Sequence, residues 1–305
     1  MRILFITSSR LGDAVIASGI LEYYRNLHPD ARITVACGAV AAPLFDRLPG
    51  RSLTIVFEKE KFDIHWLKLW TRTVGHVWDL VIDTRGSGLA LALAAKKRVM
   101  IRGGRRPGRR YQQLGAAIGV TPAPLPVVWT AAADRERAAA LLPAGPPLIA
   151  FGPTANWIGK IWPAERFIAL FRALAAGPLA AARLAIFAGP GPAERALAQP
   201  LLDAFPHAID LVGRLSIAEV AACLERADLY VGNDSGLMHL AAAAGIPCLG
   251  LFGRSMASEY APAGPRAMAV VAPGPAGAAP MENLELDDVL HAARQLLGQS
   301  RLVSA

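Results

Sequence analysis

Short, almost uninterrupted apolar runs alternate along the chain with segments whose apolar residues recur at helical spacing. Residues 2–7, 33–37, 53–57 and 80–83 read as strands, and 13–27 as an amphipathic helix stopped by His28-Pro29. Strands apolar on both faces belong to a parallel sheet covered by helices on each side. The pattern weakens between residues 102 and 126, where Gly, Pro and Arg accumulate, and restarts with a strand at 148–152. Helix 163–176, strand 184–188, helices 193–205 and 216–226, strand 229–232, helix 236–244 and strand 248–252 then follow. Pro163 and Glu165 suit a first helical turn, and Ser216 with Glu219 three residues on forms a capping box. Residues 261–280 read as a Gly/Pro/Ala-rich loop and 286–297 as a closing helix. The alternation predicts an α/β protein of two doubly wound, Rossmann-like parallel-sheet domains, 1–140 and 141–305, joined near 131–147. The last helix is given the option of packing back on the first domain.

Composition agrees with that outline. The 305 residues suit two domains of about 150 each. At 53% hydrophobic and 18% charged, the chain can bury a large core, which excludes disorder. Mean hydropathy is positive, but alanine supplies much of it. The uncharged stretches 111–133, 138–159 and 235–253 are interrupted by Gly, Pro, Gln, Asn or His and do not read as spanning helices. Arg10 and Asp13 come too early for a secretory signal, so a cytoplasmic location is expected. Cys37, Cys223 and Cys248 lack metal or disulfide spacing and read as buried apolar side chains.

Charge changes the picture more. Between Thr84 and Ala133 lie nine basic residues, Arg102, Arg105, Arg106, Arg109 and Arg110 among them, and no Asp or Glu. Removing these nine from the net +8 leaves the rest of the chain at about −1. The protein therefore carries one basic segment, which is either a solvated loop or an address for a local anionic partner.

In doubly wound folds ligands sit beyond the carboxyl ends of the strands, so the strand-to-helix loops carry the candidate chemistry. Asp13, after Ser8-Ser9-Arg10-Leu11-Gly12, either caps the following helix or serves as a general base. In Gly232-Asn233-Asp234-Ser235-Gly236 the residues favour a helix start whose free N–H groups can hold phosphate, unless the helix is simply capped. His239 on that helix is as compatible with a ligand contact as with burial. Lys160, in the Gly-containing loop before Pro163, can reach a phosphate as a mobile charge or can merely be solvated. Glu194, after Gly189-Pro190-Gly191, can read ribose hydroxyls or favour a helix start; the prolines make this a poor dinucleotide fingerprint.

With these loops in view, the sequence resembles glycosyltransferase family nine, the heptosyltransferases of lipopolysaccharide core assembly. The resemblance rests on the opening strand with Leu11-Gly12-Asp13, on K-x-WP-x-E-R-F at 160–167, on AGPGPAE at 188–194, and on GNDSGLMHLAAAAGIPCLGLFG at 232–253. It implies a GT-B fold, with two Rossmann-like domains facing a central cleft, no required metal, no cofactor, and an inverting transfer. By motif it makes Asp13 the general base and assigns Lys160 to donor phosphate and Glu194 to ribose. Asp234 would read sugar hydroxyls, Ser235 and Gly236 would hold the diphosphate, and His239 would lie on the same helix. The implied donor is a nucleotide sugar, ADP-heptose, and the implied acceptor an anionic glycolipid of the lipid A and inner-core type.

On this reading Arg102, Arg105, Arg106, Arg109 and Arg110 bind the acceptor or touch the inner membrane surface, reversibly and peripherally. A GT-B-like sugar-nucleotide epimerase shares the donor features and is the alternative enzyme. Nucleic-acid binding is not expected, because only Tyr111 stands between Lys96 and Gly119 as a stacking platform.

Overall fold

The structure, a computed structural model, describes residues 1–101 and 108–303. It divides into two compact units, Met1–Trp129 and Thr130–Ala305. The first contains β1 (Arg2–Ile6), α1 (Leu11–Leu27), β2 (Arg32–Cys37), β3 (Arg51–Val56), α2 (Ile64–Thr73), β4 (Trp78–Asp83), β5 (Ala95–Met100) and α3 (Arg110–Ala117). Its strands pair in parallel in the order β3-β2-β1-β4-β5. Leu4, Ile6 and Val81 of the central strands pack with Leu69 of α2, Trp78 and Leu89 in one buried cluster.

The second unit runs α4 (Ala132–Leu141), β6 (Leu148–Gly152), α5 (Ala164–Ala175), β7 (Arg183–Ile186), α6 (Pro192–Ala204), β8 (Ile209–Asp210) and α7 (Ile217–Leu224). It continues with β9 (Leu229–Asn233), α8 (Gly236–Ala243), β10 (Cys248–Phe252), α9 (Ala257–Tyr260), β11 (Ala267–Val271) and α10 (Leu286–Val303). All its strands are parallel, in the order β11-β10-β9-β6-β7-β8. Ile149, Phe151, Val231, Leu249 and Leu251 form a core with Phe167, Leu170 and Leu174 of α5 and with Val289, Ala293 and Leu296 of α10. Each Val, Leu, Ile or Phe side chain among these, fully buried, stabilises the fold by about 1.5–3 kcal/mol. The apolar stripe of the last helix is thus filled by its own unit, where the sequence reading allowed a return to the first. Likewise α4 packs on α7, so the division falls ahead of it and not at 140.

Several elements are absent from the sequence reading. The strand β5, AKKRVM, sits at a sheet edge, where alternation is lost and lysine is common. Lys96 pairs with Asp79 at 2.7 Å, Lys97 lies 5.7 Å from the Tyr24 ring centre, and the Arg98 guanidinium donates to the carbonyls of Ala90, Leu93 and Ala95. Three of the nine basic residues are therefore used by the fold. At the other sheet's edge, β11 lies inside the stretch taken for a loop, and its residues are only partly covered. Among the described residues no helix is long and apolar enough to cross a membrane.

Candidate functional site

Each sheet reverses its strand order once, between β1 and β4 and between β6 and β9, and the crevice at such a reversal is where doubly wound folds take ligands. Asp13 lies beyond β1, in the first turn of α1, where the helix dipole favours a carboxylate. Arg10 holds the N-cap position and no side chain caps the helix, so Asp13 is not a cap. The buried Ser8 hydroxyl accepts from the Arg10 N–H at 3.1 Å and donates to Asp13 Oδ2 at 3.3 Å. Among the described residues Asp13 makes no ion pair, and it is half-buried. Beside it, at the end of β4, Asp83 is consumed by its own turn. It accepts from the N–H groups of Arg85, Gly86 and Ser87 and from the Ser87 hydroxyl, at 2.8–3.0 Å.

The second crevice gathers more of the predicted residues. Asn233, fully buried at the end of β9, donates to the Pro153 carbonyl at 2.8 Å and accepts from the Trp162 N–H at 3.1 Å. This amide fastens the loop after β6 to the end of β9. It also delivers Lys160, whose Nζ donates to Asp234 Oδ2 at 2.6 Å. Asp234 is 8% exposed at its side chain and Lys160 24%, so the carboxylate is held inside and the ammonium reaches the mouth. His239 Nε2 stands 4.0 Å from Asp234 Oδ1. Glu194 lies in the next loop along, after β7, accepting from the Gly189 N–H at 3.2 Å in the first turn of α6. The structure thus brings Lys160, Asp234 and His239 together and keeps Glu194 on an adjacent strand end.

Ser235 occupies the N-cap position of α8 and Gly236 begins the helix, but the Ser235 hydroxyl makes no cap bond. At the start of α7, by contrast, Ser216 accepts from the Glu219 N–H at 3.3 Å and Glu219 returns to the Ser216 N–H at 2.8 Å. The first-turn amides of α8 keep their donors and the positive end of its dipole for another acceptor.

The remaining motif residues are scaffolding. Trp162 Nε1 donates to the Leu284 carbonyl at 2.7 Å, and Arg166 donates to the same carbonyl and to that of Glu282. A residue that sequence reasoning did not single out is Tyr230. It is fully buried on β9, and its phenol lies over Gly232 and Gly152, paired residues of neighbouring strands. A Cβ at Gly152 would fall 2.0 Å from the hydroxyl, and one at Gly232 2.3 Å. Burial, with Cys248 adding to it, holds this phenol well above its ordinary pKa. The thiols behave as inert side chains, burial pushing Cys37 up to about 12 and Cys223 to about 11.

Of the basic residues assigned to the acceptor, Arg102, Arg105 and Arg106 lie outside the described residues. Arg109 and Arg110 stand at the start of α3, with Arg110 donating to Gln113 Oε1 at 3.1 Å. A hollow of about 540 Å³ lined by Phe57, Glu60, His65 and Arg72 lies beside β3 and does not include Asp13. Among the described residues no three His, Cys, Asp or Glu side chains cluster as metal ligands.

Comparison with known proteins follows this geometry. Residues 83–284 match the sequence model of glycosyltransferase family 9 (heptosyltransferase). Lipopolysaccharide heptosyltransferase 3 of Escherichia coli is 31% identical over 103 residues, 33% of this chain and 29% of that protein's length. Among solved structures, a family 9 glycosyl transferase from Veillonella parvula DSM 2008 superposes with a TM-score of 0.81 at 21% identity, covering 98% of this chain and 97% of its own. The E. coli heptosyltransferase WaaC with ADP gives 0.73 at 18% identity, over 97% of this chain and 100% of its own. The fold is that of these two-domain GT-B proteins.

Proposed function

The chain belongs to glycosyltransferase family 9, and we propose from that premise that it transfers a heptose from an ADP-sugar to a lipopolysaccharide-core or related lipid-linked acceptor, with inversion. One observation carries this reading. At the strand reversal of the second unit, a lysine anchored on a buried aspartate stands beside an uncapped helix start. A diphosphate needs both a cation and unsatisfied N–H groups, and it gains most where water is excluded.

In this reading the second unit holds the donor. Lys160, Ser235 and Gly236 take the diphosphate, Glu194 the ribose, and Asp234 and His239 the sugar. The complex of WaaC with ADP supports the choice of nucleotide. The first unit binds the acceptor, using Asp13 and the basic residues Arg102, Arg105, Arg106, Arg109 and Arg110. The acceptor hydroxyl oxygen bonds to the anomeric carbon as the carbon–oxygen bond to diphosphate breaks. ADP leaves with the electron pair, and the Asp13 carboxylate takes the hydroxyl proton. Lys160 and the α8 amides neutralise the charge that accumulates on the leaving group. Basic residues near an anionic surface, at about 1 kcal/mol each, would give reversible attachment to the cytoplasmic face of the inner membrane.

Thermal shift against ADP-, UDP-, GDP- and CMP-sugars tests the reading. ADP-sugars should raise the melting temperature most, since ligand at a hundredfold its Kd stabilises by about 2.7 kcal/mol. No response to any nucleotide sugar would reject a glycosyltransferase. A response to UDP-sugars with donor turnover in acceptor-free buffer would favour the epimerase instead.

A further inference from the structure

Helix α2 turns an apolar face outward. His65, Leu69 and Thr73, four residues apart, form its buried line. On the other side Ile64, Leu67, Thr71 and, at the C-cap, Val74 are exposed at helical spacing. Trp66 and Trp70, half-buried, border that stripe on one side, and the exposed Lys68 and Arg72 on the other. A surface helix ordinarily gives this stripe to charged and polar residues, yet Leu67 is 61% exposed. The Trp70 indole donates to the Ala92 carbonyl at 3.0 Å, so the turn Leu89–Ala92 lies alongside and adds Leu91, 69% exposed.

Ahead of the helix, Phe62 and Asp63 both take φ 55°, a left-handed conformation that a bulky side chain avoids. Phe62 is 94% exposed, so the chain accepts backbone strain and leaves a phenylalanine ring in water. These residues follow β3 and stand at the carboxyl edge of the first sheet, as Asp13 does after β1, two strands or about 10 Å away.

The unit that carries this patch is strongly cationic. Residues 1–129 hold 19 Lys and Arg against nine Asp and Glu, a net of +10, while residues 130–305 come to −2. At the patch itself Glu58, Glu60 and Asp63 are offset by Lys59, Lys61, Lys68 and Arg72, with Lys68 paired to Glu60 at 2.7 Å. An apolar centre, tryptophans at its margin, basic flanks and a cationic body suit the boundary between headgroups and acyl chains of an anionic bilayer. The same charge opposes pairing this face with that of a second copy.

We propose that Phe62, the outward face of α2 and Leu91 enter the interface of an anionic lipid bilayer, with α2 lying along the surface. Lys68 and Arg72 run their methylene stems beside the apolar face and keep their charges at the headgroup phosphates. The attachment supposed in the transferase reading is electrostatic and uses other residues. This one is an apolar anchor, and it stands whether or not a sugar is transferred. Where a sugar is transferred, it presents the Asp13 edge of the sheet to a lipid-borne hydroxyl.

Flotation with vesicles of phosphatidylethanolamine and phosphatidylglycerol tests the anchor. The full chain is compared with a double variant, Phe62→Ser with Leu67→Ser, and with Leu27→Ser. Leu27 is exposed at the end of α1, at the opposite edge of the sheet. All three proteins should melt alike, since the replaced side chains are exposed. The double variant should bind vesicles about tenfold more weakly or worse, and Leu27→Ser as wild type does. In about 1 M salt, where charge is screened within about 3 Å, the wild type should keep part of its binding. Equal binding by the double variant, or complete release of the wild type in that salt, would overturn the anchor. So would a wild type that ignores vesicles; if the double variant then broke a concentration-dependent dimer, the face would belong to a second copy. Vesicle binding without response to any nucleotide sugar would remove the transferase reading and leave the anchor in place.

Discussion

The two crevices hold an aspartate each, after β1 in the first and after β9, the counterpart of β4, in the second, and in opposite electrostatic circumstances. Among the described residues Asp13 has a neutral serine at 3.3 Å and no cation, whereas Asp234 has an ammonium at 2.6 Å and lies deeper. A carboxylate touched by one hydroxyl keeps lone pairs in which to receive a proton. One committed to a buried ion pair serves best as an anchor, fixing where its lysine stands. In the proposed reading the first aspartate serves proton chemistry and the second phosphate binding, and each arm of the contrast can be broken on its own.

The largest effect should come from Asp13→Asn. We expect kcat to fall at least a hundredfold, the lower end for a general base, with ADP affinity and melting temperature unchanged. Full activity would make Asp13 no more than a partner of the α1 dipole. Next, Lys160→Ala should weaken ADP-sugar binding about tenfold to a hundredfold and cost about 3 kcal/mol of stability, the lower end for stranding one partner of a buried ion pair. Adding Asp234→Asn should restore stability in a denaturant melt but not affinity. If affinity returned as well, the lysine would not be a phosphate ligand.

Gly232→Ala sharpens the second crevice further. It should destabilise by about 1–3 kcal/mol through the collision with the phenol, and Tyr230→Phe should recover part of that loss in urea unfolding. The smallest effect contrasts two serines of the same unit. Ser216→Ala should cost about 1 kcal/mol of stability and leave ADP binding alone. Ser235→Ala, which removes no cap bond, should leave the melting temperature within a degree or two while weakening ADP. Reversed outcomes would make α8 an ordinary capped helix.

Much of this was legible in residue order. The β-branched and apolar runs of β1, β6, β9 and β10 are buried on both faces, so their hydrophobicity is continuous and needs no partner to be recognised. The Gly-Asn-Asp-Ser-Gly loop stood out because its chemistry is contiguous. Edge strands did not, since β5 carries Lys96, Lys97 and Arg98 on an open side and β11 is half-covered amid Gly and Pro. The Ser216 cap was visible as a four-residue pattern, while the failure of Ser235 to cap depends on where its hydroxyl turns. Tyr230 was invisible for a related reason. Its interest lies in the bare backbone that its phenol overlies, and half of that, Gly152, belongs to a different strand.

One carbonyl sets a practical limit on this protein. Leu284 receives both Trp162 and Arg166, so the segment ahead of α10 is tied from below to the loop that carries Lys160. A protease cut or a stop codon placed before Leu284 would strip the acceptor from two side chains some 120 positions away, one of them fully buried. Shortening of the tail is therefore to be confined to positions beyond Leu296, the last buried residue of the α10 core stripe.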